Sequence, residues 1–299
     1  MPSYLEATAR QRLHHLLDLN SFEEWLPPST RVTSPHLPQL DLPVAFDDGV
    51  VIGAGQLENR TVMVAAQEGG FMGGAVGEVH GAKLLGLLQR AIRDRPDAVL
   101  LLLETGGVRL HEANAGLIAV SEVMRAMLAV RAAQIPMVVL IGGANGCFGG
   151  MGIAARCANK IVMSEQGRLA LSGPEVIETA NGVEEFDARD RALVWRTTGG
   201  KHRYLLGDCD YVVADDTTAF RNAAITAIND CQAKPVQLTL AALEAEQSML
   251  KNRLADFGSC RDPLDIWRQL GITNADTLPL LEIDAFVAAA SGYQIKGLV

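Results

Sequence analysis

Glycine pairs are the residues of this chain best placed to do chemistry, because they let the backbone approach a ligand closely and leave N–H groups unobstructed. Three clusters carry them: Gly69 to Gly77, with Phe71-Met72-Gly73-Gly74 at its centre, Gly106-Gly107, and Gly142 to Gly152 with Gly149-Gly150. The last two follow apolar runs of strand length, Ala98 to Leu103 and Met137 to Ile141. Ligands of open α/β sheets bind where such strands end. Gly149-Gly150 also opens the next helix, whose first N–H groups lack an internal partner and favour developing negative charge. An oxyanion would suit that position. One Gly-Gly pair alone is more often a tight turn or a close packing contact, but two pairs on successive strand ends tip the reading towards a site.

Other reactive side chains are thinly spread. His80 and His111 each flank a glycine loop, either as proton carriers or, more commonly for such residues, as satisfied structural histidines. Glu112 and Glu175 begin helices, where a carboxylate is favoured electrostatically in any case. Cys147 precedes Gly149 without a histidine nearby in sequence and is read as a small packing residue. Asp47-Asp48 is most simply a turn, and His14-His15 has no further ligands at metal spacing. Neither G-x-G-x-x-G at a strand-to-helix junction, nor G-x-x-x-x-G-K-[ST], nor G-x-S-x-G is present, so dinucleotide, P-loop and serine hydrolase chemistry lack their fingerprints.

The elements that must position these residues are legible in outline. An amphipathic opening helix carries Leu5, Leu13, Leu16 and Leu17, and Ser21 would cap a short second helix. A Pro-rich stretch from Pro27-Pro28 to Pro43 reads as an extended linker. Val50 to Ile52 and Thr61 to Ala65 form a hairpin about Glu58-Asn59-Arg60. Two strand–loop–helix units then place Ala98 to Leu103 and Met137 to Ile141 in a parallel sheet. A helix with Val79, Leu84, Leu87 and Leu88 precedes them, and one with Leu117, Val120, Met124, Met127 and Leu128 lies between them. Lys160 to Met163 and Leu169 to Leu171 read as further strands, with Pro174 opening a helix. The remainder reads as helical, over Leu238 to Leu254, Pro263 to Leu270 and Glu282 to Ala290. Three regions result: 1–45, helix and linker; 46–234, the main α/β domain; and 235–299, a helical region suited to subunit contact.

The chain has 299 residues, 48% of them hydrophobic and 20% charged, enough apolar material for a sizeable core. A net charge of −9 argues against nucleic acid. No apolar run nears membrane-span length, and the charged first 25 residues lack the core of a signal peptide, so a cytoplasmic location is expected. Five scattered cysteines with no C-x-x-C pair fit reduced thiols there.

Taken together, Phe71 to Gly77, Thr105-Gly106-Gly107-Val108-Arg109 with Glu112, and Gly149-Gly150 followed by Ile153-Ala154-Ala155 resemble the carboxyltransferase family of the crotonase superfamily in order and spacing. Ala170 to Glu178 looks like the family's next signature, and Arg12-Leu13, Leu16-Leu17-Asp18 and Ser21-Phe22 resemble its N-terminal helix, so the likeness runs from about residue 9 to 230. Within the family the chain is most similar to the β-type subunits of biotin-independent malonate decarboxylases. The similar acetyl-CoA carboxylase subunits normally begin with a four-cysteine zinc ribbon that is absent here.

The resemblance implies a crotonase-like α/β fold that supplies half of an active site, with a γ-type carboxyltransferase subunit supplying the rest. It implies malonyl thioester on the phosphopantetheine-type (dephospho-CoA-derived) arm of an acyl carrier protein, with an acyl-carrier transferase subunit as a further partner and with no metal and no biotin on this chain. Loss of CO2 leaves an enolate, whose thioester oxygen is assigned to Gly149 and Gly150, with Gly106 and Gly107 completing the pocket. Phe71, Met72, Gly73, Gly74, Arg109, Ser172 and Gly173 are expected to line the substrate, Arg109 on the carboxylate or as a loop support. Because carrier proteins are usually acidic, docking needs a local basic patch, for which Lys201, His202 and Arg203 are candidates, or a basic partner. The rival readings are a biotin-dependent carboxyltransferase subunit, a free-standing crotonase-type hydratase or isomerase, and a non-catalytic scaffold.

Overall fold

The computed structural model describes residues 2–41, 46–235 and 239–295. Seven strands lie side by side in chain order: β1 Glu23–Trp25, β2 Val50–Leu57, β3 Arg60–Gln67, β4 Ala98–Leu102, β5 Met137–Ile141, β6 Lys160–Ser164 and β7 Tyr211–Val213. β1 to β3 are antiparallel and β3 to β7 parallel. The β2–β3 hairpin turns on Glu58 and Asn59, both with positive φ (53° and 61°), which matches the twist of the flanking strands.

Helix α1 spans Ala9–Leu16, α2 Glu78–Asp94, α3 Ala115–Ala132, α4 Gly150–Ala155 and α5 Pro174–Asn181. Every residue of β4 and β5 is buried, as the apolar runs require, because helices cover both faces. On one face α2 and α3 pack Leu84, Leu87, Val123 and Met127 against Val99, Leu101 and Val139. On the other, α1 joins a later helix, α8 (Thr217–Ala233), so that Leu13, Leu16 and Phe220 meet Leu100, Val138 and Leu140. Fully burying each such side chain is worth about 1.5–3 kcal/mol.

The stretch 182–234, unassigned from periodicity, holds α6 Arg191–Thr198, α7 Gly200–Leu205, β7 and α8 Thr217–Ala233. Helix α8 buries alanines at 223, 224 and 227, which give a weak sequence signal. Ser21 caps no helix: its hydroxyl donates to Asp18 O and accepts from Gln56 N, and the residues after it form the edge strand β1. Leu169–Leu171 is not a strand of the sheet but makes an isolated bridge from Leu169 to Cys147. The Pro-rich stretch contains 3-10 turns at Pro28–Thr30 and Pro38–Leu40; Pro43 lies outside the described residues. In α3, Leu117 and Leu128 are exposed, and Val120, Val123, Met127 and Val130 form the core face. The C-terminal region comprises α9 Leu240–Phe257, α10 Pro263–Gln269 and α11 Ile283–Ala290, with Leu238 outside the described residues. No described helix is long and apolar enough to cross a membrane.

Two histidines are buried in this scaffold. His80 Nε2 lies 3.1 Å from the Gln67 amide nitrogen, and Trp267 Nε1 donates to His202 Nδ1 at 3.1 Å. Burial, reinforced by nearby cations, pushes both imidazoles down to about 3. Both are therefore neutral in the fold while their unfolded counterparts bind a proton below about 6.5. Stability is fully present above that value and is lost as the pH falls towards 3, by about 2 kcal/mol per histidine at pH 5. Urea melts at pH 7.5 and 5 should show the loss, and His202→Gln should remove about half of it.

Candidate active site

Each predicted glycine loop lies at the carboxyl edge of the parallel strands, and a second, smaller ladder laces them together. Gly106 N–H donates to Gly73 O (2.9 Å), Val76 N–H to Gly107 O (2.9 Å), Thr105 N–H to Gly146 O (2.8 Å) and Phe148 N–H to Thr105 O (2.9 Å). Parallel bridges Val76–Val108, Thr105–Cys147 and Cys147–Leu169 continue it. Gly74, with φ +69°, is required here because a Cβ would collide with Glu104 O. Gly149 has φ +66° and ψ −148°, a conformation essentially confined to glycine. A Cβ on it would sit 3.3 Å from Gly107 Cα, so the two predicted turns converge on one spot.

Hydrogen bonding narrows the donor set. The Gly149 N–H is used by Leu171 O (2.8 Å), that of Gly106 by Gly73 O, and that of Gly107 by Thr105 Oγ1 (3.1 Å). Of the four glycines expected to donate, only Gly150, first residue of α4, has its N–H unpaired among the described residues. The sequence reading missed Val108: its neighbours pair with Val76, so its own N–H points the other way, and among the described residues it has no acceptor. Periodicity could not have found it, because the signal is a bridge register.

Arg109 is not free to meet a substrate carboxylate. Only 4% exposed, it binds Asp47 through both Nη atoms, Glu112 through Nη1 (3.1 Å) and Ala75 O through Nε (2.9 Å). Burial acts to raise the Asp47 carboxyl, but Arg109 outweighs it and holds the group below the usual range. Glu112 in turn accepts from Glu78 N–H at the start of α2 (2.6 Å). Arg109 is thus a support for both the 69–77 and 104–109 loops, with the Phe71 ring 5.3 Å from its guanidinium carbon. Asp47 is more than a turn, and Asp48 pairs with Arg10.

A second buried support went unrecognised as such. Glu104 directly follows the apolar run Ala98 to Leu103 that contains β4, pairs with Arg12 of α1 and accepts from Asn145 N–H (3.1 Å), while Asn145 holds Gly69 O (2.9 Å). A carboxylate right after a fully buried strand is the signal that marked it.

The remaining candidates fall into place. Met72 is half-exposed on the rim, Gly73 projects into open space, and Ser172 and Gly173 lie half-buried beyond Leu171. His111 is exposed, with Nε2 3.8 Å from Glu112. Glu175 is exposed at the start of α5. Cys147 is fully buried, which pushes its thiol up to about 12 and suits packing rather than attack. His14 and His15 are exposed, and among the described residues no group of three or more His, Cys, Asp or Glu is placed to hold a metal ion.

Lys201, His202 and Arg203 do not form a surface patch. Lys201 Nζ is buried against Glu165, Pro279 O and Leu281 O (2.8, 2.7 and 2.7 Å), and Arg203 pairs with Asp208. Lys201, and His202 through the Trp267 N–H, tie α7 to the C-terminal region, while Arg203 is taken up by Asp208 and Thr197 O. Lys201→Met should therefore destabilise the fold by about 3 kcal/mol and leave the salt dependence of carrier binding unchanged. Parallel denaturation and binding titrations check both halves.

Similar proteins are found both by sequence and by structure. The carboxyl transferase domain model matches residues 6–235. The malonyl-S-ACP:biotin-protein carboxyltransferase MADC of Malonomonas rubra is 41% identical, over 96% of this chain and 95% of its own length. A Pseudomonas malonate decarboxylase hetero-tetramer, solved with malonate, superposes at TM-score 0.78 with 40% identity, covering 88% of this chain and 95% of the matched one. The Pseudomonas MdcD–MdcE hetero-dimer gives TM-score 0.62 at 39% identity, covering 76% and 88%. By the match over most of its length and the shared α/β architecture, the chain belongs to the carboxyl transferase domain family.

Proposed function

We propose that this chain is the β-type half of a malonate decarboxylase, and that with a γ-type carboxyltransferase subunit it converts a malonyl thioester on an acyl carrier protein to the acetyl thioester and CO2. The observation that carries the reading is the convergence of Gly149 on Gly107, which leaves the N–H groups of Gly150 and Val108 without internal acceptors beside the same junction. Departure of CO2 places charge on the thioester oxygen, and preorganised donors aimed at that oxygen lower the barrier. The 69–77 loop, with Met72, Gly73 and Gly74, and the Ser172-Gly173 turn line the approach of the phosphopantetheine-type arm. Arg109 acts by holding the loops. The chain itself holds no cofactor in this reading, an acyl-carrier transferase subunit loads the arm, and the complex works in the cytoplasm.

Two features support a partner. Around the glycine loops, Leu110, Leu117, Ile118, Leu171 and Val176 are each more than half exposed, an apolar rim suited to a second subunit's wall. None of the residues of α9 is buried, which fits the helical C-terminal region as a subunit contact.

The likeness to MADC favours a second reading, in which the carboxyl group passes to a biotin protein instead of leaving as CO2. The native complex, purified with all the subunits that accompany the chain, any biotin protein included, and supplied with malonyl carrier protein, should release CO2 at the same rate with and without avidin. Release abolished by avidin would replace the first reading with the second, and release by the chain alone would remove the need for a shared site.

A further inference from the structure

At the opposite edge of the sheet, where β6 and β7 begin, lies a cavity of about 540 Å³ that the glycine-loop chemistry does not use. Its walls come from the ends of α3, α4 and α8 and from α9, and carry Arg131, Arg156, Lys160, Asp210, Asp230 and Glu246, with the exposed Lys234 at the rim. Most of these charges are already matched. Lys160 Nζ binds Asp210 at 2.8 Å, Arg156 lies 3.9 Å from Glu246 and donates to Asp208 O at 3.0 Å, and Asp230 accepts from the Tyr211 hydroxyl.

Arg131 is the buried exception. It is 7% exposed, its Nε is buried with no hydrogen-bond partner, and no carboxylate of the described residues lies within ion-pair distance of it. The guanidinium's one hydrogen bond among the described residues is a long one from Nη1 to Cys157 O, 3.4 Å. A buried guanidinium with no counter-charge is costly, and ordinarily it is paired. Burial also pulls its proton affinity down, and the more distant Glu246 carboxylate offsets this only in part. An arginine on the wall of a roomy cavity presents a planar fork that fits the two oxygens of a carboxylate or phosphate. The chain as a whole carries −9, so general electrostatics does not draw an anion to this face.

We propose that this cavity is a second anion site, separate from the glycine loops, which takes a compact carboxylate or phosphate group on the Arg131 guanidinium. The cavity lies at the amino ends of β6 and β7, away from the glycine loops that follow β3, β4 and β5, and a group bound there joins the ends of α3, α4 and α8. Because a ligand that binds only the folded state raises its stability, occupancy reads out as a rise in melting temperature.

The test is a thermal titration of the purified full chain with sodium malonate, sodium acetate and sodium phosphate in separate arms, with sodium chloride at matched ionic strength as control. A saturable rise of about 2 °C or more over chloride is expected in at least one arm, and the arm that responds identifies the carboxylate or phosphate source. Arg131→Gln should weaken that response about tenfold or more, the loss expected for a charge-assisted hydrogen bond. Since this change removes a buried charge and can alter folding, Met249→Trp provides a second probe, filling the cavity from the half-exposed wall of α9. It should also abolish the response, whereas Gly150→Ala, at the far edge, should retain it. No response beyond chloride, or a response unchanged in both cavity variants, overturns the proposal. A response lost in Gly150→Ala but kept in Arg131→Gln also overturns it, by placing the anion at the glycine loops.

Discussion

Gly150→Val is expected to lower CO2 release from malonyl carrier protein by about 10²–10³-fold, the usual loss when one oxyanion donor is displaced. The physical route differs from simple blockage of the cleft. An ideal Cβ on Gly150 lies 2.7 Å from Val120 Cγ1 and 3.6 Å from Val120 Cβ, so the new side chain points into α3. Valine must push α4 away from α3 and carry the Gly150 N–H out of line. The loss should therefore be recoverable: Gly150→Ala with Val120→Ala opens the needed space and should regain activity to within about tenfold of the parent, a residual of about 1.4 kcal/mol. Gly106→Ala is the matched control, since its Cβ meets nothing closer than Gly73 O at 3.5 Å, and stability should change by no more than about 0.5 kcal/mol. Steady-state rates on the assembled complex, with sizing to verify assembly, decide the matter. Normal decarboxylation by Gly150→Val would remove the amide from the mechanism.

Arg109→Met should destabilise the chain by about 3–5 kcal/mol, because it leaves Asp47 and Glu112 buried without their cation. The Arg109 and Asp47 side chains are 3% and 7% exposed, so water cannot take over the vacated contacts. Arg109→Lys should recover little, since one ammonium cannot serve Asp47, Glu112 and Ala75 O together as the planar fork does. Activity is expected to fall with stability, as both loops lose the strut that sets their spacing. Urea denaturation and turnover measured on the same preparations separate two roles. A variant that stayed fully stable yet lost turnover would reinstate direct contact with the substrate, while one that lost neither would dismiss the strut.

Much of the scaffold was legible beforehand for a physical reason. A strand covered on both faces must be apolar at every position, so β4 and β5 announced themselves, and the helices after them kept the spacing of one buried face. What failed was elements whose burial depends on small side chains or on edge position. The alanine face of α8, the three-residue strands β1 and β7, and the bridges near Leu169 exist because neighbouring segments complete them. The same limit hid Glu104 as a support and buried Lys201, His202 and Arg203, whose acceptors lie as far away in sequence as Leu281.

The sequence by itself determined that glycine turns would cap successive parallel strands, because backbone periodicity and helix-start chemistry are local properties. Which amides remain free was settled only by the folded chain. Leu171, Gly73 and Thr105 take up the N–H groups of Gly149, Gly106 and Gly107, and those acceptors are supplied largely by other loops. A hydrogen bond belongs to two groups, and a linear pattern names one of them at a time.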